Sequence, residues 1–267
     1  MRLVMRELNT YFLLAYSFTW TCHLVVLVFR MPFSLDLAEP VTWLYCVGIL
    51  GPSVSAILLS VRQQGAAGLH RLVSQAVRWR FGMIWYLVAL LVAPTVTLID
   101  IGLRASGLSN PSAWFRFPVL LAVGQIWVVL GEEYGWRGFA LPRLQRSLGS
   151  LGGSLILGVI WAAWHLPMFF VPGSPQYTKS LVADFGSYVL TVMCWSILMA
   201  VLYNRTGGSL LPCMLFHASL NISAFSIDVP EGSSSMAYFY LAIAAAAIPL
   251  LPRPLLTLKV MQRADSP

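Results

Sequence analysis

Apolar runs of about 20 residues with almost no charge recur along this chain, and each is long enough to cross a hydrocarbon core of about 30 Å as a helix. Eight are legible, at about 8–29, 41–61, 83–103, 117–136, 151–171, 185–204, 209–226 and 236–257. They predict an all-α, polytopic membrane protein with about eight transmembrane helices, forming one integral-membrane domain over residues 1–267. Only 10% of the residues are charged and 58% are hydrophobic. That balance excludes a soluble enzyme, a disordered chain and a disulfide-rich secreted domain. The four cysteines, Cys22, Cys46, Cys194 and Cys213, all fall inside apolar runs without CxxC spacing and read as small buried hydrophobes.

The basic residues give an orientation. On the eight-span layout one side collects Arg2, Arg6, Arg62, Arg71, Arg78, Arg80, Arg137, Arg143, Arg146, Arg205, Arg253, Lys259 and Arg263. The other side holds Arg30, Arg104, Arg116 and Lys179, with Asp36, Glu39, Asp100, Asp184, Asp228 and Glu231. Basic residues mark the cytoplasmic face, so both termini are expected there, and the net charge of +7 reports topology rather than a nucleic-acid partner. The first span is too long for a signal-peptide core and lacks a cleavage site, so it reads as a retained helix. Within the connection 62–82, Leu69, Leu72, Val73, Ala76 and Val77 recur at helical spacing and predict an amphipathic helix on the inner leaflet.

Ionisable groups inside apolar spans are costly, by about 2.5–3.5 kcal/mol each on insertion scales, and so mark function. Three clusters stand out: Gly131-Glu132-Glu133-Tyr134-Gly135-Trp136-Arg137-Gly138, Trp161-Ala162-Ala163-Trp164-His165-Leu166-Pro167, and Phe216-His217-Ala218-Ser219-Leu220-Asn221. Glu133 and Arg137 stand at i and i+4 with the acid first, the favourable order for an intrahelical ion pair. Glu132 points about 100° away from Glu133 and finds no partner in its own helix. The expectation is a positioning pair in Glu133 and Arg137, with Glu132 left for chemistry. His217 and Asn221 share one helix face, and Pro167 frees a backbone carbonyl near His165. One carboxylate and two imidazoles on three spans satisfy two kinds of site: a water activated by carboxylate and histidine, or a divalent metal such as zinc held by Glu132, His165 and His217.

Other polar residues have structural explanations. His23 reads as a hydrogen-bonding group between helices, His70 as solvated, and Asp100 with Arg104 as an i, i+4 pair. Trp20, Trp43, Trp79, Trp85, Trp114 and Trp195 read as interfacial anchors. Trp161 and Trp164 flank His165 closely and are expected to wall a substrate cavity.

In order, Glu132-Glu133-x-x-x-Arg137, Trp161-x-x-x-His165 and His217-x-x-x-Asn221 on three hydrophobic spans resemble the CPBP family of intramembrane proteases, the CAAX-protease and bacteriocin-processing group also called Abi. The strings GEEYGWRGFALPRLQR, WAAWHLPMFF and LLPCMLFHASLN resemble its prokaryotic branch. The motif-bearing core runs over 117–226. The resemblance implies an eight-helix fold in a prokaryotic plasma membrane, with a cavity open toward the cytoplasmic leaflet. It further implies Glu132 and His165 as the pair that activates the attacking water, His217 and Asn221 as the oxyanion clamp, and Glu133 with Arg137 as positioning residues. Trp161 departs from the family pattern, which usually has phenylalanine there.

The expected activity is hydrolysis of a peptide bond in a membrane-associated peptide or protein, with membrane lipid as the surrounding partner. The alternative is a membrane immunity or scaffold protein that binds a bacteriocin or a partner membrane protein without cleaving it. A transporter lacks support from inverted repeats or paired broken helices. The sequence has no HExxH, which favours the metal-free form of the reaction.

Overall fold

The computed structural model describes residues 2–104, 119–177, 180–226 and 235–252. Trp114, Arg116, Lys179, Asp228, Glu231, Arg253, Lys259 and Arg263 lie outside these, as does the side chain of Arg104. The basic-residue orientation and the Asp100–Arg104 pair therefore fall partly outside the described residues.

Regular structure among the described residues is helical throughout. The α-helices are α1 Arg2–Val28, α2 Pro40–Gly48, α3 Gly51–Val73, α4 Met83–Arg104, α5 Val119–Glu133, α6 Leu141–Trp164, α7 Leu181–Arg205, α8 Leu211–Ser226 and α9 Ser235–Ala247. A π-helical segment, Tyr134–Ala140, joins α5 to α6, and 3-10 turns cover Leu166–Phe170 and Ile248–Leu250. Among the described residues four stretches are long and apolar enough to cross a membrane, or five if α2 and α3 count as one bent span. Leu13, Leu24, Leu87, Leu98 and Ile126 point outward from their helices, the dress of surfaces that face lipid.

Two departures from the sequence expectation, and one reversal that falls in the expected connection between two spans, have local causes. The span at 41–61 is two helices bent by 40°, because Pro52 has no N–H for the carbonyl four residues earlier. That carbonyl, on Gly48, instead accepts the Thr19 hydroxyl at 2.7 Å, which ties the break to α1. The run Val123–Phe170 holds 48 residues, which as a straight helix would measure about 72 Å, more than twice a bilayer core. It folds back at Gly149, whose φ of 75° and ψ of 169° suit only glycine. A Cβ on Gly153 would lie 2.7 Å from the Gln145 nitrogen, although residues eight apart in a straight helix are separated by about 12 Å.

The same device at Gly65, with φ 58° and ψ −146°, changes the connection 62–82. Instead of forming a separate surface helix, residues 66–73 turn back as the end of α3, and Leu72 is buried in the core. Only the following stretch keeps the interfacial character, with Val77, Trp79 and Met83 exposed.

The π segment packs on α3, α8 packs between α4 and α5, and α6 runs along α7, which also contacts α9. Hydroxyl-to-carbonyl bonds join the helices: Ser53 to Leu130 at 2.7 Å, Ser196 to Ser154 at 2.8 Å and Ser219 to Leu90 at 3.0 Å. Such bonds and close packing replace the hydrophobic driving force that is missing between helices in lipid. The three polar clusters lie on α5 with the π segment, on the end of α6 and on α8, so the reversal at Gly149 sets two of them side by side.

Candidate functional site

The last turn of α5 and the wide turn of the π segment place two adjacent carboxylates in different surroundings. Glu133 is fully buried, and its Oε1 accepts Arg137 Nη1 at 2.9 Å, with both side chains at 0% exposure. The same Oε1 accepts the Nδ1–H of His217 from α8 at 2.7 Å. Arg137 lies with its guanidinium carbon 4.0 Å from the centre of the Trp161 ring, a cation–π contact that offsets part of the cost of burying the charge.

Glu132 is also buried, and among the described residues no ion pair reaches it. Its Oε2 accepts the indole N–H of Trp161 at 2.8 Å and that of Trp136 at 3.3 Å. Trp136 is four residues further along the same segment, so Glu132 does have a partner in its own helix, contrary to the sequence expectation. The i, i+4 rule would have exposed it had indole N–H been counted as a donor.

At the end of α6 the helix tightens just before Pro167, where the 3-10 turn Leu166–Phe170 begins. The backbone N–H of His165 bonds to Ala162 at 3.1 Å, a 3-10 contact that leaves the Trp161 carbonyl without its helical partner. The His165 ring supplies one, with Nδ1 2.8 Å from that oxygen. A carbonyl can only accept, so Nδ1 carries the proton, and in neutral His165 the lone pair sits on Nε2. The Trp164 carbonyl is likewise taken by the Trp20 indole at 3.0 Å, which ties α1 to the end of α6. Trp195 turns inward, its ring 6.4 Å from Trp161 and 5.7 Å from Tyr240.

Trp161 is the hub of the arrangement. Its N–H holds Glu132, its carbonyl holds His165, its ring faces Arg137, and the His217 ring stands edge-on at 5.2 Å. At 2% exposure it is buried within the bundle, as is Trp164, whose ring lies 4.7 Å from His165 and 5.8 Å from Trp136. His23, expected to bridge helices, is buried with its Nδ1 unpartnered among the described residues. Asn221 uses one amide N–H on Gln125 of α5 at 2.7 Å. Gln125 and Tyr188, whose ring is 5.6 Å from His165, are the neighbours that sequence reasoning missed. For Gln125 the signal was a lone amide in an apolar run seven residues before Glu132, hence on its face of the helix.

Geometry thus gathers Glu132, Glu133, Arg137, His165 and His217 around one tryptophan. Among the described residues no three His, Cys, Asp or Glu side chains come together closely enough to hold a metal ion, so the set Glu132, His165 and His217 does not fit one as arranged. One side of each imidazole is already engaged, by the Trp161 carbonyl and by Glu133.

Residues 114–223 match the family model described as Type II CAAX prenyl endopeptidase Rce1-like. The chain is similar to CAAX prenyl protease 2 of Methanococcus maripaludis, 27% identical over 120 residues, which is 44% of this chain and 44% of that relative. The match therefore spans less than half the length of the curated relative.

Proposed function

We infer, because residues 114–223 match the family model described as Type II CAAX prenyl endopeptidase Rce1-like, that this membrane protein is an intramembrane endopeptidase whose reacting water is held by Glu132 and His165. The observation that carries the reading is the unequal treatment of the two glutamates. Glu133 is consumed by Arg137 and His217, whereas Glu132 is held by neutral N–H donors and retains its capacity as a base. Glu132 takes a proton from water, the resulting hydroxide adds to the scissile carbonyl, and the same proton passes to the departing amine. His165 presents the Nε2 lone pair to the second proton of that water and keeps it aligned.

His217 supports the opposite end of the reaction. With Nδ1–H bonded to Glu133, its protonated form offers Nε2–H to the oxygen on which negative charge develops, and Glu133 stabilises that imidazolium. Asn221 has a second amide N–H beyond the one given to Gln125, and this completes the oxyanion clamp. The substrate is a membrane-associated peptide or protein. Eight spans with both termini cytoplasmic, a single domain over 1–267 whose core is 117–226, and residence in a prokaryotic plasma membrane complete the proposal.

The test is Glu132→Gln in purified protein that keeps its wild-type thermal midpoint, assayed against a peptide library in detergent or liposomes. Loss of a general base is worth about 10²- to 10⁴-fold, so turnover should fall by that factor. Wild-type turnover in Glu132→Gln would remove Glu132 from the mechanism.

A further inference from the structure

Beyond the reacting groups, the bundle holds a second polar cluster with no assigned task. His23 of α1, Tyr45 of α2 and Trp164 at the end of α6 are 3%, 6% and 2% exposed. His23 Nδ1, the Tyr45 hydroxyl and the Trp164 indole N–H all lack hydrogen-bond partners among the described residues. The His23 ring lies 5.5 Å from Tyr45 and 6.5 Å from Trp164, and Trp164 in turn lies 4.7 Å from His165. Three orphaned polar atoms are thus grouped one ring away from a residue of the reaction centre. Burying a polar group without a partner forfeits its hydration, so three together on neighbouring helices need an occupant to satisfy them.

The chemistry of the three defines that occupant. Trp164 can only donate, while His23 and Tyr45 donate or accept. No lysine or arginine belongs to the cluster, so a carboxylate held there would be buried without a countercharge. Neutral donors among aromatic rings suit the carbonyl oxygens and N–H groups of an uncharged stretch of peptide backbone. We infer that His23, Tyr45 and Trp164 form a subsite that holds substrate backbone beside His165. The inference rests on the peptidase reading above for the identity of the ligand as a peptide, and on the orphaned atoms for its place.

Tyr45→Phe and His23→Phe remove the polar atoms while keeping aromatic bulk, and two measurements on the full chain in detergent judge them. The first is the thermal midpoint without peptide. The second uses a library of fluorescein-labelled decapeptides, read as cleavage in the wild-type background and as anisotropy in the Glu132→Gln background. The expected result is a KM or Kd raised about five- to tenfold in each variant, kcat within about twofold, and a thermal midpoint equal to or above wild type. A lowered midpoint with unchanged KM and Kd would mean that the atoms serve the fold, through buried solvent for example, and would overturn the subsite. A kcat loss at unchanged KM would overturn it equally. If no peptide is cleaved but Glu132→Gln protein binds the library, and His23→Phe weakens that binding, the subsite stands and the peptidase reading fails. If peptides are cleaved and neither variant alters KM or Kd, the reverse holds. If the library is neither cleaved nor bound, both are overturned.

Discussion

Glu132 and Glu133 are neighbours in sequence and equally removed from solvent, yet they belong to different physical regions. The Glu133 region is ionic: one carboxylate oxygen is shared by Arg137 and His217, and the guanidinium lies on the Trp161 ring. The Glu132 region is polar, with no ion pair among the described residues, and two indoles hold its carboxylate. A buried carboxylate that neutralises a cation is fixed by the fold, because losing it strands the partner charge. One held by neutral donors can change its protonation state without stranding anything. The pair shows how two identical side chains acquire separate duties from their neighbours alone.

The sharpest way to break this comparison is stability. Arg137→Ala leaves Glu133 and His217 without their cation and should destabilise the protein by about 3–5 kcal/mol, whereas Glu132→Gln, which keeps shape and one acceptor, should stay within about 1 kcal/mol of wild type. Reversible unfolding in mixed micelles measures both. Equal losses in the two variants would erase the distinction between the regions.

Next in size is the link between them. Trp161→Phe removes the 2.8 Å N–H bond to Glu132 but keeps an aromatic face for Arg137. Hydrogen bonds to charged groups contribute about 1.5–3 kcal/mol, so kcat/KM should fall about 10- to 100-fold with little change in folding. Trp136→Phe removes the longer bond, at 3.3 Å, and should cost less. If Trp136→Phe costs more, the shorter contact is not the one that holds Glu132.

Much of this was legible before any coordinates. Apolar runs located the helices, and i, i+4 spacing placed Arg137 on Glu133 and kept Glu132 apart. Pro167 announced a break in the helix beside His165, but the carbonyl that the His165 ring caps belongs to Trp161, not to Ala163, the residue that the missing proline N–H would have served. What stayed hidden has a common cause: it depends on which chain segments turn back. Nothing local in Gly149 says that residues 132 and 161 will meet, so the bond that makes Trp161 the hub was not legible from its place beside His165. Gln125 was invisible for the same reason, since its partner Asn221 is on another helix. His23 read as an ordinary bridging histidine because the sequence shows which groups are polar, not which of them go unpartnered.

Gln125 offers a smaller test. Gln125→Leu keeps the volume and deletes the acceptor of the Asn221 amide, which frees Asn221 to rotate. One neutral hydrogen bond is worth about 0.5–1.5 kcal/mol, so kcat should fall about two- to tenfold while KM holds. Gln125 acts only by orienting Asn221 in this scheme, so Asn221→Ala and the double variant should both match or exceed that loss. An additive double variant would place Gln125 outside the oxyanion clamp.

The smallest expected effect is that of metal removal, and it bears on both regions at once. His165 and His217 each have one ring nitrogen committed to a protein acceptor, and Glu132 Oε2 is committed to two N–H donors. In this arrangement no three potential ligands among the described residues meet at ion-binding distance. Dialysis against EDTA and 1,10-phenanthroline should therefore leave turnover within about twofold, since the base is the carboxylate itself. An activity that vanishes on chelation and returns with added zinc would require His165 and His217 to swing onto a shared ion. Glu132 would then be holding a cation as Glu133 does, and the contrast between the two carboxylates would reduce to which cation each one faces.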